Sequence, residues 1–243
     1  MTRRELFPLL VAPLVARAQN AGPVRRIVIV RDVSPSYKNT EEITAKLVEV
    51  MRALGPGDEL ALIELGGPFS PEACIKVQCR MPGVAPAILA PVGTPGEWCT
   101  NKARLDAVWK RVDGSRRDVE SYLRIPTSVK DPTPLFEALA YCATIMSPAG
   151  PESRTLLVFS DLVQDSNGIK SELPAKAPME FAGVSGFALF VPWQTDFAGR
   201  AAAWRRWFIA SGGVSFEMLD GAQSRTRTVL GKSAAPRTLL QRF

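Results

Sequence analysis

The hydrophobic and polar positions of this chain alternate between short, solid apolar runs and longer stretches with helical spacing. Ile27 to Val30 form an unbroken β-branched run, the pattern of a strand buried on both faces. Ile43, Leu47, Val50 and Leu54 follow at helical intervals, with Asn39 and Glu42 placed as a capping box and Gly55-Pro56-Gly57 as the stop. "ELALIEL" (residues 59–65) is the next strand, so strand, helix and strand imply a right-handed parallel crossover. Residues 66–101 change texture: six prolines interrupt them, and only "CIKVQCRM" reads as an edge strand or hairpin within a loop-rich insertion.

Helical character returns in "KARLDAVWKRVDGSRRDVESYLR", with a break expected near Gly114. In "DPTPLFEALAYCATIM", Leu135, Leu139, Cys142 and Met146 share one face, with Thr133 expected as the cap and Pro134 at the first helical position. "RTLLVFSD" and "GVSGFALFVPW" read as buried strands, "FAGRAAAWRRWFIASGG" as a helix stopped by glycine, and "VSFEML" as a last strand. The alternation predicts an α/β fold: a doubly wound, mostly parallel central sheet with one antiparallel edge strand and helices on both faces. The spacing of Trp204, Trp207 and Phe208 favours core packing over a stacking platform.

Composition then narrows the chemistry. The chain of 243 residues contains no histidine, which excludes histidine-based triads and histidine-ligated zinc, and it has neither of the common glycine-rich phosphate loops. The start, "MTRRELFPLLVAPLVARAQ", joins basic residues to an apolar run and a small-residue site. It reads as an export signal over residues 1–18, with a partial likeness to the twin-arginine type, and implies a periplasmic or extracellular protein. Its loss lowers the formal charge from +6 to +4, and the remaining basicity gathers in a C-terminal tail, residues 221–243. Cys74, Cys79, Cys99 and Cys142 lack metal-knuckle spacing. Cys142 reads as a buried thiol, and export would allow Cys99 to pair with Cys74 or Cys79.

The candidate chemistry lies where strands end. Asp32, Ser34 and Ser36 leave the first strand at intervals of two, Thr133 opens a helix, and Asp161 ends "LLVFSD". In an open α/β sheet these positions belong to the carboxyl rim, where ligand sites form. Two carboxylates and three hydroxyls make a hard oxygen set suited to Mg²⁺ or Mn²⁺. Asp131, Asp165 and Asp196 read as turn or cap residues.

This arrangement resembles the von Willebrand factor A domain family over residues 24–220. The metal-ion-dependent adhesion site of that family has the form Asp-x-Ser-x-Ser followed by a distant Thr and a distant Asp. Asp32-Val33-Ser34-Pro35-Ser36, Thr133 in "DPTPLFEAL" and Asp161 in "VFSDL" match those elements. Family members commonly carry glycine after the last aspartate, whereas this chain has Leu162. The resemblance implies a non-enzymatic protein-binding domain whose Mg²⁺ or Mn²⁺ takes its last ligand from an acidic residue of a partner protein, in adhesion or in assembly of an envelope or surface complex. Two alternatives remain open: a metal-dependent phosphohydrolase using Asp32, and a nucleic-acid-associated module using the basic tail. The first has no second acid where Ser34 stands, and the second conflicts with an export signal.

Overall fold

The computed structural model describes residues 24–34, 37, 41–89, 94–124, 132–147, 153–166, 169–171, 179–193 and 195–230. The expected export signal and Asn39 of the expected capping pair lie outside them. Six strands form one sheet in the order β3-β2-β1-β4-β7-β8: β1 Arg25–Asp32, β2 Glu59–Leu65, β3 Ile75–Arg80, β4 Ser153–Phe159, β7 Val184–Leu189 and β8 Ser215–Met218. All neighbours run parallel except β3, the antiparallel edge strand. A separate antiparallel hairpin joins β5 Gln164–Ser166 to β6 Ile169–Ser171. This is the doubly wound α/β fold that the apolar runs predict.

The pleat of β1 explains why its sequence is apolar throughout. Ile27 and Ile29 face α1 (Glu41–Ala53) and α4 (Pro95–Leu123), in a cluster with Leu47, Met51, Val112 and Leu123. Val28 and Val30 face the opposite layer, where α5 (Leu135–Met146) supplies Leu139 and Cys142 and α6 (Phe197–Ala210) supplies Trp204 and Phe208. Each face of the strand is dry, so alternation has no role there. Trp204 and Phe208 are almost wholly buried, as their helical spacing predicts.

Three local expectations need correction. The helix expected to break at Gly114 runs unbroken for 29 residues. It starts at Pro95, inside the expected insertion, because Thr94 and Glu97 form a reciprocal capping box. One interior glycine costs only ~1 kcal/mol, and Leu105, Val108, Val112, Val119 and Leu123 bury apolar surface on both sides of it. Two short helices, α2 Pro71–Cys74 and α3 Pro86–Leu89, complete the segment. The second correction concerns Thr133. Pro134 holds the N-cap position of α5 and makes no side-chain cap bond, so Thr133 lies one residue before the cap.

The third correction is at the C-terminal end. Residues 221–230, expected as the start of a tail, belong to the domain. Asp220 caps α7 (Gly221–Thr226), Val229 and Leu230 enter the core beside α1, and Arg225 and Arg227 pair with Glu42 and Glu217. The remainder of the expected tail lies outside the described residues. Cys74, Cys79, Cys99 and Cys142 are all free thiols, so the considered pairing of Cys99 is not present. Cys142 is fully buried, and burial raises its pKa. Among the described residues, no helix is long and apolar enough to cross a membrane.

Candidate functional site

The sheet order reverses direction at β1: the chain moves from β1 to β2 on one side, then crosses to β4 on the other. The loops leaving β1 and β4 therefore diverge and open a crevice at their carboxyl ends, the place where doubly wound sheets bind ligands. Asp32 ends β1, and the parallel register pairs Arg31 with Phe159, so Asp32 stands beside Ser160 and Asp161.

Asp32 is completely buried, while Asp161 retains 9% exposure. Asp32 Oδ1 accepts the Ser34 backbone N–H at 2.8 Å, and Asp32 Oδ2 accepts the Ser160 hydroxyl at 2.9 Å. Burial is the main cause that raises the Asp32 pKa above the ordinary carboxylate value. Hydrogen bonds from the Ser34 hydroxyl and amide and from Ser160 pull it back in part, and the negative charge of Asp161 pushes it up again. Burial also raises the pKa of Asp161, opposed by the Val163 amide, by the charge of Arg200, by Ser160 and by Lys170.

Ser160 thus lies within reach of both carboxylates. A hydroxyl has one proton to donate, so it serves one carboxylate at a time, while its own oxygen accepts the Leu162 N–H at 3.0 Å. The result is a buried, like-charged pair with one neutral hydroxyl between its members. Two ionised carboxylates in this setting repel each other unless a proton or a cation intervenes.

The loop after Asp161 carries a further mark. Leu162 has φ +61° and its side chain is fully buried. The left-handed region costs a non-glycine residue roughly 1–2 kcal/mol. Leucine here therefore adopts the backbone conformation that glycine takes without strain, and core packing of its side chain offsets the cost. Phe190, just past the end of β7, is also left-handed at φ +56°, and its N–H donates to Ser224 Oγ at 2.7 Å. Both strained residues lie at the same rim of the sheet.

Thr133 is carried to this rim by a chain of backbone bonds. Val33 N–H donates to Leu65 O at 2.8 Å, and Gly67 N–H to Pro132 O at 2.9 Å. Thr133 and Asp165 then exchange N–H···O bonds of 2.9 and 3.1 Å in an isolated antiparallel bridge. The loops after β1, β2 and β4 and the entry to α5 are thereby tied together, with Thr133 only 2% exposed. Asp32, Ser34 and Asp161 meet through direct interactions, Thr133 joins through this backbone ring, and Ser36 lies outside the described residues. Among the described residues, no three acidic, thiol or imidazole side chains gather at one point. The donor set here is two carboxylates completed by hydroxyls, and hard oxygens of that kind fit Mg²⁺.

Four contributors escape a reading of the sequence. Ser160 is the carboxylate link, and its signal is faint: a polar residue one position before Asp161 at the end of an apolar run. Arg200, buried in the first turn of α6, donates from its guanidinium to Asp161 O at 2.9 Å. A cation in a first helical turn opposes the helix dipole, and that mismatch is a legible hint that another contact holds it there. Tyr37 donates from its hydroxyl to Leu189 O at 3.1 Å; burial and the two aspartates raise its pKa. Gln164 has no local signal. Of the remaining acids, Asp196 caps α6 as expected, whereas Asp165 is a strand residue rather than a turn or cap, and Asp131 lies outside the described residues. No family model matches this chain, and no curated protein matches it.

Proposed function

We propose that this protein is a non-enzymatic binding domain of the von Willebrand factor A type, in which Asp32, Ser34, Ser36, Thr133 and Asp161 hold Mg²⁺ or Mn²⁺. The observation that carries this reading is the buried pair Asp32 and Asp161 at the topological switch point, two carboxylates whose pKa values burial raises and whose hydrogen bonds come from neutral amides and serine hydroxyls. A divalent cation bound there supplies charge neutralisation and an open coordination position for an anionic ligand. The chain's own groups do the rest: Ser34 and Ser160 orient Asp32, the Val163 amide fixes Asp161 Oδ1 at 2.9 Å, and Arg200 anchors the Asp161 backbone.

Hydroxyls rather than further carboxylates complete the set, so a bound dication retains net positive charge. Its complement is an acidic side chain of a partner protein, in adhesion or in assembly of a surface complex. The left-handed Leu162 supports the same reading, because this residue adopts a glycine-like backbone directly after Asp161.

Calorimetric titration with Mg²⁺ and Mn²⁺ tests the proposal, using the wild-type chain beside Ser34→Ala and Asp161→Asn variants that remain folded. Saturable binding in the wild type and its loss in both variants is the expected result. A wild-type protein that takes up neither ion overturns the reading.

A further inference from the structure

We infer that Gln164 is a positioning residue that holds Thr133 in register with the Asp161 loop, and that metal affinity at the site depends on it. The inference rests on the proposed metal-binding reading and assigns Gln164 a part in it. It starts from an unmet requirement of α5. The first turn of a helix has backbone N–H groups without intrahelical acceptors, and a polar N-cap side chain ordinarily accepts from the second or third of them. Pro134 holds the N-cap position and makes no side-chain cap bond.

Gln164 supplies the missing acceptor from a different element. Its Oε1 accepts the Phe136 N–H at 2.7 Å, and its Nε2 donates to Glu137 Oε2 at 2.9 Å. Both ends of one amide are thus engaged by consecutive residues of α5, and the Gln164 side chain is nearly buried at 7% exposure. The neighbouring residue of β5, Asp165, exchanges two backbone bonds with Thr133. Gln164 and Asp165 therefore grip the segment 133–137 at two points. They also follow Asp161 by three and four residues, so β5 links two candidate ligands.

Glutamine fits this task where aspartate or glutamate does not. An amide offers an acceptor to the helix N–H and a donor to Glu137, whereas a carboxylate would face Glu137 with like charge. Supporting residues behind metal ligands commonly change affinity by about 10- to 100-fold when removed.

The test is Mg²⁺ titration of the full chain beside Gln164→Ala, the Gln164→Glu single variant and the exchanged pair Gln164→Glu with Glu137→Gln. Amide hydrogen exchange at Thr133, Phe136 and Asp165 is measured in parallel. Gln164→Ala is expected to weaken Mg²⁺ about tenfold and to speed exchange at those amides, with secondary structure retained. The exchanged pair restores one acceptor for Phe136 and one donor between the side chains, so it recovers affinity that Gln164→Glu alone loses. That recovery separates positioning from a general loss of stability. If the wild type binds Mg²⁺ and the Gln164→Ala variant binds it equally well, or if the exchanged pair is no better than Gln164→Glu, the inference fails. If the wild type takes up neither Mg²⁺ nor Mn²⁺, the metal-binding reading fails and this inference falls with it; if it takes up Mn²⁺ alone, the same variants are compared with Mn²⁺.

Discussion

The two ends of β1 bury acids in opposite ways. At its start, Asp58 receives the Arg25 backbone N–H at 2.9 Å, the Arg25 Nε at 3.0 Å and the Gly55 N–H at 2.7 Å, and the guanidinium approaches to 2.6 Å. That acid is surrounded by donors, one of them a full cation. At the other end, seven residues along, Asp32 accepts from the Ser34 amide and from the Ser160 hydroxyl, Asp161 accepts from the Val163 amide, and Arg200 donates to the Asp161 backbone carbonyl. The same strand thus has one end where an acid is neutralised by a paired guanidinium and another where two acids are held by neutral donors, the end at which we propose that a cation binds.

The sharpest way to break this contrast is Asp58→Ala. It strands Arg25 in the interior, where removal of one partner of a buried pair costs about 3–5 kcal/mol. Urea unfolding should show that loss equally with Mg²⁺ and with chelator. If the loss depended on the ion, the two ends would not be independent.

Next in size is a pair at Leu162. Truncation of a buried leucine to alanine costs roughly 2–5 kcal/mol. Glycine ordinarily costs a further ~0.5–1 kcal/mol relative to alanine, but at φ +61° glycine relieves backbone strain that alanine keeps. Leu162→Gly should therefore unfold at no lower urea concentration than Leu162→Ala. A clearly less stable glycine variant would show that the loop after Asp161 is not held in the left-handed region.

The smallest expected effect concerns Asp32→Asn measured in chelator. Burial raises the pKa of both Asp32 and Asp161, so the folded apo protein binds protons more tightly than the unfolded chain. Their contribution to stability then falls as pH rises from the unfolded carboxyl range through the folded pKa, and acidification across that window strengthens the fold. Asp32→Asn should flatten this dependence and leave apo stability intact, opposite in character to Asp58→Ala. The chain has no histidine, so no imidazole contributes to the slope. Saturating Mg²⁺ should reverse its sign, because protons then compete with the ion.

How much of this was legible depended on whether a contact is local. The apolar run Ile27 to Val30 announces a doubly covered strand because both faces of β1 meet helices. Asp32 and Asp161 were legible because they interrupt such runs, and an abrupt polar residue after a buried strand falls at the rim. Gly114 misled because intrinsic propensity is a weak term beside the apolar stripe of a long helix. Thr133 looked like a cap because threonine before Pro134 fits the local pattern, yet its position is fixed by Asp165, 32 residues further along. Ser160, Gln164 and Arg200 act on partners delivered by topology, which composition and spacing within one segment do not encode.

The clasp formed by residues 221–230 has a practical consequence for anyone trimming this chain. Lys46 Nζ in α1 donates to Arg227 O at 2.6 Å, Ser224 Oγ receives the strained Phe190 amide, and Leu230 is 5% exposed. A cut after β8 would take one acceptor from a buried lysine and leave it Glu49 alone, open a hydrophobic seam along α1 and release the backbone at the end of β7. A minimal expressible fragment should run through Leu230, and affinity tags or fusion partners belong beyond it.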